Sequence, residues 1–155
     1  MVDVRKLLDY NEEVRHRYFD VLAKLPWKEL VENREASFHS IRNIFIHTLN
    51  ATDYWLDFLQ NEQLHVHLKF DEYKSIEDMQ GYMEHVEGCL KRYIDNLTSE
   101  GLMREYAMKN ATGETIKAED VLIHVFEEEI HHRGELIALL WQMDVEPPQM
   151  GWKRL

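Results

Sequence analysis

Apolar residues recur at spacings of three and four along four long stretches of the chain, with polar residues between them, the pattern of amphipathic helices. The first stripe, Leu7, Val14, Tyr18, Val21, Leu22 and Leu25, predicts a helix from about Asp3 to Leu25 that stops at Pro26. Its other face carries Asp9, Glu12, Glu13, His16 and Asp20, as a solvated surface does. A second helix is expected from an N-cap at Ser37 to about Gln60, burying Ile41, Ile44, Phe45, Thr48, Ala51, Trp55 and Leu59. The third begins at Ser75, with Asp78 as the acid of a capping box, and reaches about Leu97. The fourth covers about Lys117 to Met143, and Pro147 and Pro148 end it.

The connections narrow the topology. About fifteen residues, NEQLHVHLKFDEYKS, separate helices two and three, enough to cross the end of a bundle. Before helix four, REYAMKNATGETIKA reads as two short polar-apolar stretches around Asn110 to Gly113, an irregular turn or small hairpin. The tail EPPQMGWKRL offers Met150 and Trp152 for docking. The expected fold is all-α: an antiparallel four-helix bundle with a long crossover connection between helices two and three, one domain over residues 1–155.

Composition agrees. With 155 residues and 45% hydrophobic content the chain suits one core, and only 6 Gly and 3 Pro leave helix propensity high. The net charge of -11 argues against a grip on phosphates, so neither nucleic acid nor an anionic membrane is an expected partner. The N-terminus is charged from its third residue, and no apolar run approaches the ~20 residues of a membrane span. A cytoplasmic protein is expected. The single cysteine, Cys89, excludes an internal disulfide and a cysteine-based zinc site, and its surroundings, EGCLKRY, suggest a small buried residue and not a nucleophile.

The chemistry concentrates in helix four, in HVFEEEIHHRGEL. Projected at 100° per residue, Val121, Leu122, Val125, Leu136, Leu139, Leu140 and Met143 form the apolar arc. His132 falls inside it, Glu128 lies at its border, and His124, Glu128 and His132 share one line at i, i+4 and i+8. Glu129 and Arg133 also project inward and are expected to form an i,i+4 ion pair, while Glu127 and His131 point toward solvent or a groove. Buried titratable groups need partners, because an unpaired charge in the interior costs several kcal/mol. A metal is one solution and a buried hydrogen-bond network is the other. For a metal, two ligands four apart on a helix need a third from elsewhere, and His47, in the middle of helix two, is the candidate. Two histidines and a carboxylate serve catalytic zinc and, in facial geometry, iron.

The run HVFEEEIHHRGELIALLWQMDVEPP resembles the end of the DinB/YfiT-like (damage-inducible) family, whose members are regarded as metalloenzymes. The family's last helix reads His-x3-His-x3-His-Arg-Gly-Gln, then an aliphatic stretch and Pro-Pro. Here His124, His132, Arg133, Gly134, LIALL and Pro147-Pro148 match, and His47 sits where the family has its helix-two histidine. Glu128 replaces the middle histidine and Glu135 the glutamine. The resemblance implies a mononuclear divalent-metal site of His47, Glu128 and His132, holding zinc or nickel, with manganese or iron as further candidates. It implies a homodimer and a small-molecule partner, a low-molecular-weight thiol in some relatives.

The mechanism so implied is Lewis-acid activation of a thiol for S-transfer, or of water for hydrolysis, with His124 or His131 as the acid-base group. Two other readings stand beside it. One is a non-catalytic dimeric bundle whose metal site is structural or lost. The other is a ferritin-like di-iron protein, because Glu128 with His131 and Glu129 with His132 both fit Glu-x-x-His; it requires a second such motif on another helix, and Glu13 with His16 has the spacing but lies on the charged face of helix one.

Overall fold

The computed structural model describes residues 3–63, 68–108 and 113–151. Four long helices carry the fold: α1 (Val4–Leu22), α3 (Ile41–Asn61), α4 (Ile76–Asp95) and α6 (Ala118–Gln142). Two short ones, α2 (Trp27–Val31) and α5 (Ser99–Leu102), and the antiparallel pair β1 (Glu105–Ala107) and β2 (Thr115–Lys117) sit in the connections. The hairpin expected before helix four is therefore present, although its Asn110 lies outside the described residues. The same is true of Trp152 in the tail. Among the described residues no helix is long and apolar enough to cross a membrane.

The bundle has an uncommon order. Arg42 donates to the Tyr73 carbonyl just ahead of α4, and Asn50 and Asp53 farther along α3 meet Tyr82, so α3 and α4 run parallel. α3 therefore ends and α4 begins at opposite ends of the bundle, as the expected crossover connection requires. α1 and α6 are parallel too, with Asn11 bonded to the Phe126 carbonyl and Arg15 to Glu129. The two parallel pairs oppose one another: Arg5 reaches Leu97 and Arg15 reaches Glu87, while His47 faces His132 and Trp55 faces His124.

Two hydrophobic clusters fill the ends. One gathers Tyr18, Leu22, Phe45, Leu49, Met79, Met83, Leu136 and Leu140, and the other Val4, Leu8, Leu56, Phe58, Leu90, Val121 and Leu122. Each fully buried side chain of this kind contributes about 1.5–3 kcal/mol, more than helix propensity supplies, so packing decides the register. Tyr106 of β1 is buried against Phe58 at 5.5 Å, which ties the hairpin to the second cluster.

Several boundaries differ from the sequence expectation. α1 ends at Leu22 because Lys24 and Leu25 bond back only three residues, to Val21 and Leu22, and the chain turns before Pro26. Leu7, Val21 and Leu25 are half-buried, and Val4, Leu8, Asn11 and Arg15 join the expected Val14, Tyr18 and Leu22 among the buried residues. The second long helix starts at Ile41, capped by Ser40, whose side chain accepts from the Asn43 amide at 3.2 Å. Ser37 stays in the preceding loop. Ser75 caps α4 as expected, but Asp78 reaches back to the Lys74 amide, one residue before the cap. Met150 docks partly buried, and its carbonyl accepts from Tyr10 at 2.7 Å.

Candidate metal centre

His47 lies in the second turn of α3, on the side that meets α6, and the antiparallel packing of those helices sets it opposite Glu128 and His132. On α6 the two residues are one turn apart, so their side chains lie above one another on one face. Glu128 Oε2 is 3.5 Å from His132 Nε2 and 3.8 Å from His47 Nε2, and the imidazole centroids stand 4.7 Å apart, nearly perpendicular. His132 is buried, whereas His47 and Glu128 are partly open.

The far nitrogen of His132 is engaged. Its Nδ1 donates to Glu135 Oε2 at 2.6 Å, and Ser37 Oγ donates to the same oxygen at 2.8 Å. Partial burial works to raise the Glu135 carboxyl, but the bonds from His132 and Ser37 outweigh it and hold the group below its ordinary value. Burial lowers the His47 imidazole, His132 adds to the effect, and Glu128 opposes it. A neutral imidazole is thereby favoured at His47, the form that offers a lone pair. Phe38 stacks on His47 at 3.8 Å and meets His132 edge-on at 5.5 Å, closing one side with an apolar wall.

Of the two candidate acid-base groups, His124 is the nearer to the carboxylate. Its Nε2 lies 4.0 Å from Glu128 Oε1, its ring meets Trp55 at 5.4 Å, and its side chain is 40% exposed. His131 is exposed, with its ring centroid 5.0 Å from that of His132. Glu127 is exposed as well.

The ion pair expected between Glu129 and Arg133 is absent among the described residues. Glu129 instead takes a two-pronged contact from Arg15 of α1 and a bond from the Tyr18 hydroxyl at 3.2 Å, while Arg133 bonds to Tyr10 and Asn11. An inward glutamate on α6 meets its neighbour helix before it meets its own successor. Burial works to lower the Arg15 guanidinium, but Glu129 overrides it and raises the group; burial and then Glu129 raise the Tyr18 phenol. Arg15 is buried on the arc with Leu8 and Leu22, and that charged residue at apolar spacing was the signal available in the sequence.

Other expectations change. Glu13 pairs with Arg17 on the exposed face of α1, and His16 turns to Glu87 at 3.0 Å, so this Glu-x-x-His does not point inward as a di-iron centre requires. Glu12, His16 and Glu87 do form a second group of close donors, accounted for by the Arg15 and His16 ion pairs to Glu87. Cys89 is half-buried against the second hydrophobic cluster, and Arg92 donates to its sulfur at 3.1 Å.

Comparison with known proteins agrees with this architecture. The YizA protein of Bacillus subtilis is 21% identical over 146 residues, spanning 92% of this chain and 89% of that one. A DinB-like protein of Bacillus cereus superposes with a TM-score of 0.74 at 17% identity, over 94% of both chains. YfiT of Bacillus subtilis, described as a probable metal-dependent hydrolase with an unusual four-helix bundle topology, superposes with a TM-score of 0.69 at 16% identity, over 94% of this chain and 92% of its own. The sequence model of the DinB family matches residues 1–154, and the chain belongs to that family.

Proposed function

We infer that the protein is a metal-dependent enzyme that holds one divalent ion between His47, Glu128 and His132 and activates a small nucleophile there. The observation that carries this reading is the convergence of the three donors within 4.8 Å of one another. Two donors bonded at about 2.1 Å to one tetrahedral ion stand about 3.4 Å apart, and the 3.5 and 3.8 Å separations of Glu128 from the two imidazoles come close to that. Both are longer than an ordinary hydrogen bond, so the three donors stand close without tight direct bonds to one another.

A bound ion supplies Lewis-acid chemistry, lowering the pKa of a thiol or water held beside it. The chain's own residues do the rest. His47 and His132 would offer imidazole nitrogens to the ion, and the Glu128 carboxylate would offset part of its charge. His124, one turn from Glu128 and partly exposed, takes the proton from the nucleophile and returns it to the leaving group; His131 is the alternative. Phe38 excludes water from one side of the imidazoles. Zinc and nickel suit this donor set best, and manganese and iron follow.

Transfer of a low-molecular-weight thiol to an electrophile is the first reading. Hydrolysis is the second, and the description of YfiT favours it. The proposal extends to a cytoplasmic, single-domain homodimer. On α6, Ile123, Ile130 and Trp141 are exposed, and at 100° per residue they fall on one side of the helix, an apolar surface suited to a second copy.

Metal analysis of tag-free protein beside His132→Ala tests the reading. About one equivalent of divalent ion in the wild type, lost in the variant, is expected. Thiol conjugation and ester hydrolysis assays with His124→Gln then divide the two reactions. Failure of wild-type protein to bind any divalent ion leaves a bare helical scaffold.

A further inference from the structure

The imidazole of His132 has two ring nitrogens, and only the unprotonated one can hold a cation. An unconstrained ring exchanges between the two tautomers, and the hydrogen bond at one nitrogen decides the state of the other. In this protein that bond comes from outside the donor triad. Glu135 Oε2 lies 2.6 Å from His132 Nδ1, while Nε2 faces Glu128 Oε2 at 3.5 Å. A carboxylate accepts and never donates when ionised, so in the neutral ring the proton sits on Nδ1 and the lone pair on Nε2.

Glu135 is itself held by the loop ahead of α3. Arg34 donates its amide to the His39 carbonyl at 2.6 Å, His39 to Ala36 at 3.0 Å and Ser40 to Phe38 at 2.9 Å, which folds residues 34–40 into a tight turn. Glu35 and His39 adopt φ of 56° and 70°, the left-handed region that residues with a Cβ occupy only when the surroundings hold them. Ser37 and Phe38, at the tip, each reach one side of the centre. Ser37 bonds Glu135 at 2.8 Å, and Phe38 stacks on His47 with its ring tilted by 21°. Asn43 fixes the Phe38 carbonyl at 2.8 Å.

We propose that Glu135 is the positioning residue of the centre: clamped by Ser37 of the 34–40 turn, its carboxylate locks His132 in the Nδ1–H tautomer and aims Nε2 at Glu128 and His47, while Phe38 of the same turn sets the plane of His47. Glu135 touches neither the ion nor the substrate and acts only through His132. This inference rests on the metal reading above, yet its first observable exists in the metal-free protein.

The test is nitrogen-15 NMR of the histidine side chains in metal-free protein, in alkaline buffer where imidazole is neutral, followed by zinc titration against a competing chelator. Wild-type His132 is expected as the Nδ1–H tautomer alone. Glu135→Ala should release it to a mixture and lower zinc affinity about 10- to 100-fold, as loss of an outer partner of a ligating histidine does. Glu135→Gln, whose amide oxygen still accepts from Nδ1, should keep the tautomer and recover most of the affinity. Ser37 is exposed, so Ser37→Ala leaves the core intact and should move the same resonances less far. An unchanged His132 tautomer in Glu135→Ala overturns the proposal. Absence of zinc binding in the wild type, with the tautomer still released by Glu135→Ala, overturns the metal reading and supports the positioning role.

Discussion

Arg15 of α1 and Glu129 of α6 meet through two parallel hydrogen bonds, Nε to Oε1 at 3.0 Å and Nη2 to Oε2 at 2.5 Å, with both side chains buried. Such a fork fixes direction as well as distance. Because successive residues on a helix point about 100° apart, anchoring Glu129 toward α1 leaves its neighbour Glu128 turned toward α3 and His47. Two adjacent glutamates thus serve different helices, one fastening the bundle and the other facing the donors.

The first prediction concerns that fork. Glu129→Ala leaves the buried Arg15 guanidinium with Glu87 but without its fork, and takes the acceptor from Tyr18; it should cost about 3 kcal/mol, whereas Arg15→Met combined with Glu129→Leu should be much closer to wild type. Urea melts of the two variants decide it. Equal stability of Glu129→Ala and wild type would place the pair in solvent.

Glu128 gives the second. Glu128→His creates a three-imidazole donor set and should keep a divalent ion bound, because imidazole suits zinc and nickel. Glu128→Ala should weaken binding while the far-ultraviolet circular dichroism stays helical, since the residue is only partly buried. The role as a ligand is falsified if Glu128→Ala binds metal as wild type does.

A third prediction separates two serines. Ser40 caps α3, so Ser40→Ala should lose about 1 kcal/mol of stability. Ser37 is exposed in the loop, and Ser37→Ala should stay within about 0.5 kcal/mol. Thermal melts of the pair should rank them in that order; the reverse order would return the cap to Ser37.

The fourth is a pH dependence. Burial raises the phenols of Tyr18, Tyr73, Tyr82 and Tyr93, the last to about 12. Between the unfolded value near 10 and the folded value, the folded chain holds more protons than the unfolded one, so stability falls as pH rises. The Tyr93 contribution is fully present below about pH 10 and is lost as pH rises through about 12. Urea midpoints should drop across that interval, and Tyr93→Phe should make the drop shallower. A midpoint indifferent to pH there would mean these phenols titrate as free tyrosine.

Much of this was legible in the chain because it depends on local spacing. The apolar stripes marked the four long helices, and the i, i+4 spacing of Glu128 and His132 aligned them on one face before any tertiary contact was known. What local spacing cannot carry is choice of partner. Glu129 has Arg133 one turn away, yet the packing of α1 brings Arg15 closer, and a contact across 114 residues leaves no periodic trace. The start of α3 shows the same limit: Ser37 and Ser40 both suit a cap, and the Ser37 hydroxyl is drawn instead to Glu135 on α6.

The parallel pairing of α3 with α4 and of α1 with α6 bears on how the chain reaches its fold. An up-and-down bundle can begin from a hairpin of consecutive antiparallel helices, closed by a short loop. Here the consecutive pair that lies side by side, α3 and α4, is parallel and needs the full crossover, while α1 must wait for α6, whose Phe126 lies 115 residues after Asn11. Contacts of large sequence separation must therefore form before any local pair is stable, and since loop closure comes first, folding should be slower than in an up-and-down bundle of equal size. The polar waist of Arg15, Glu129 and Tyr18, which joins the first helix to the last, can form only at the end of that search.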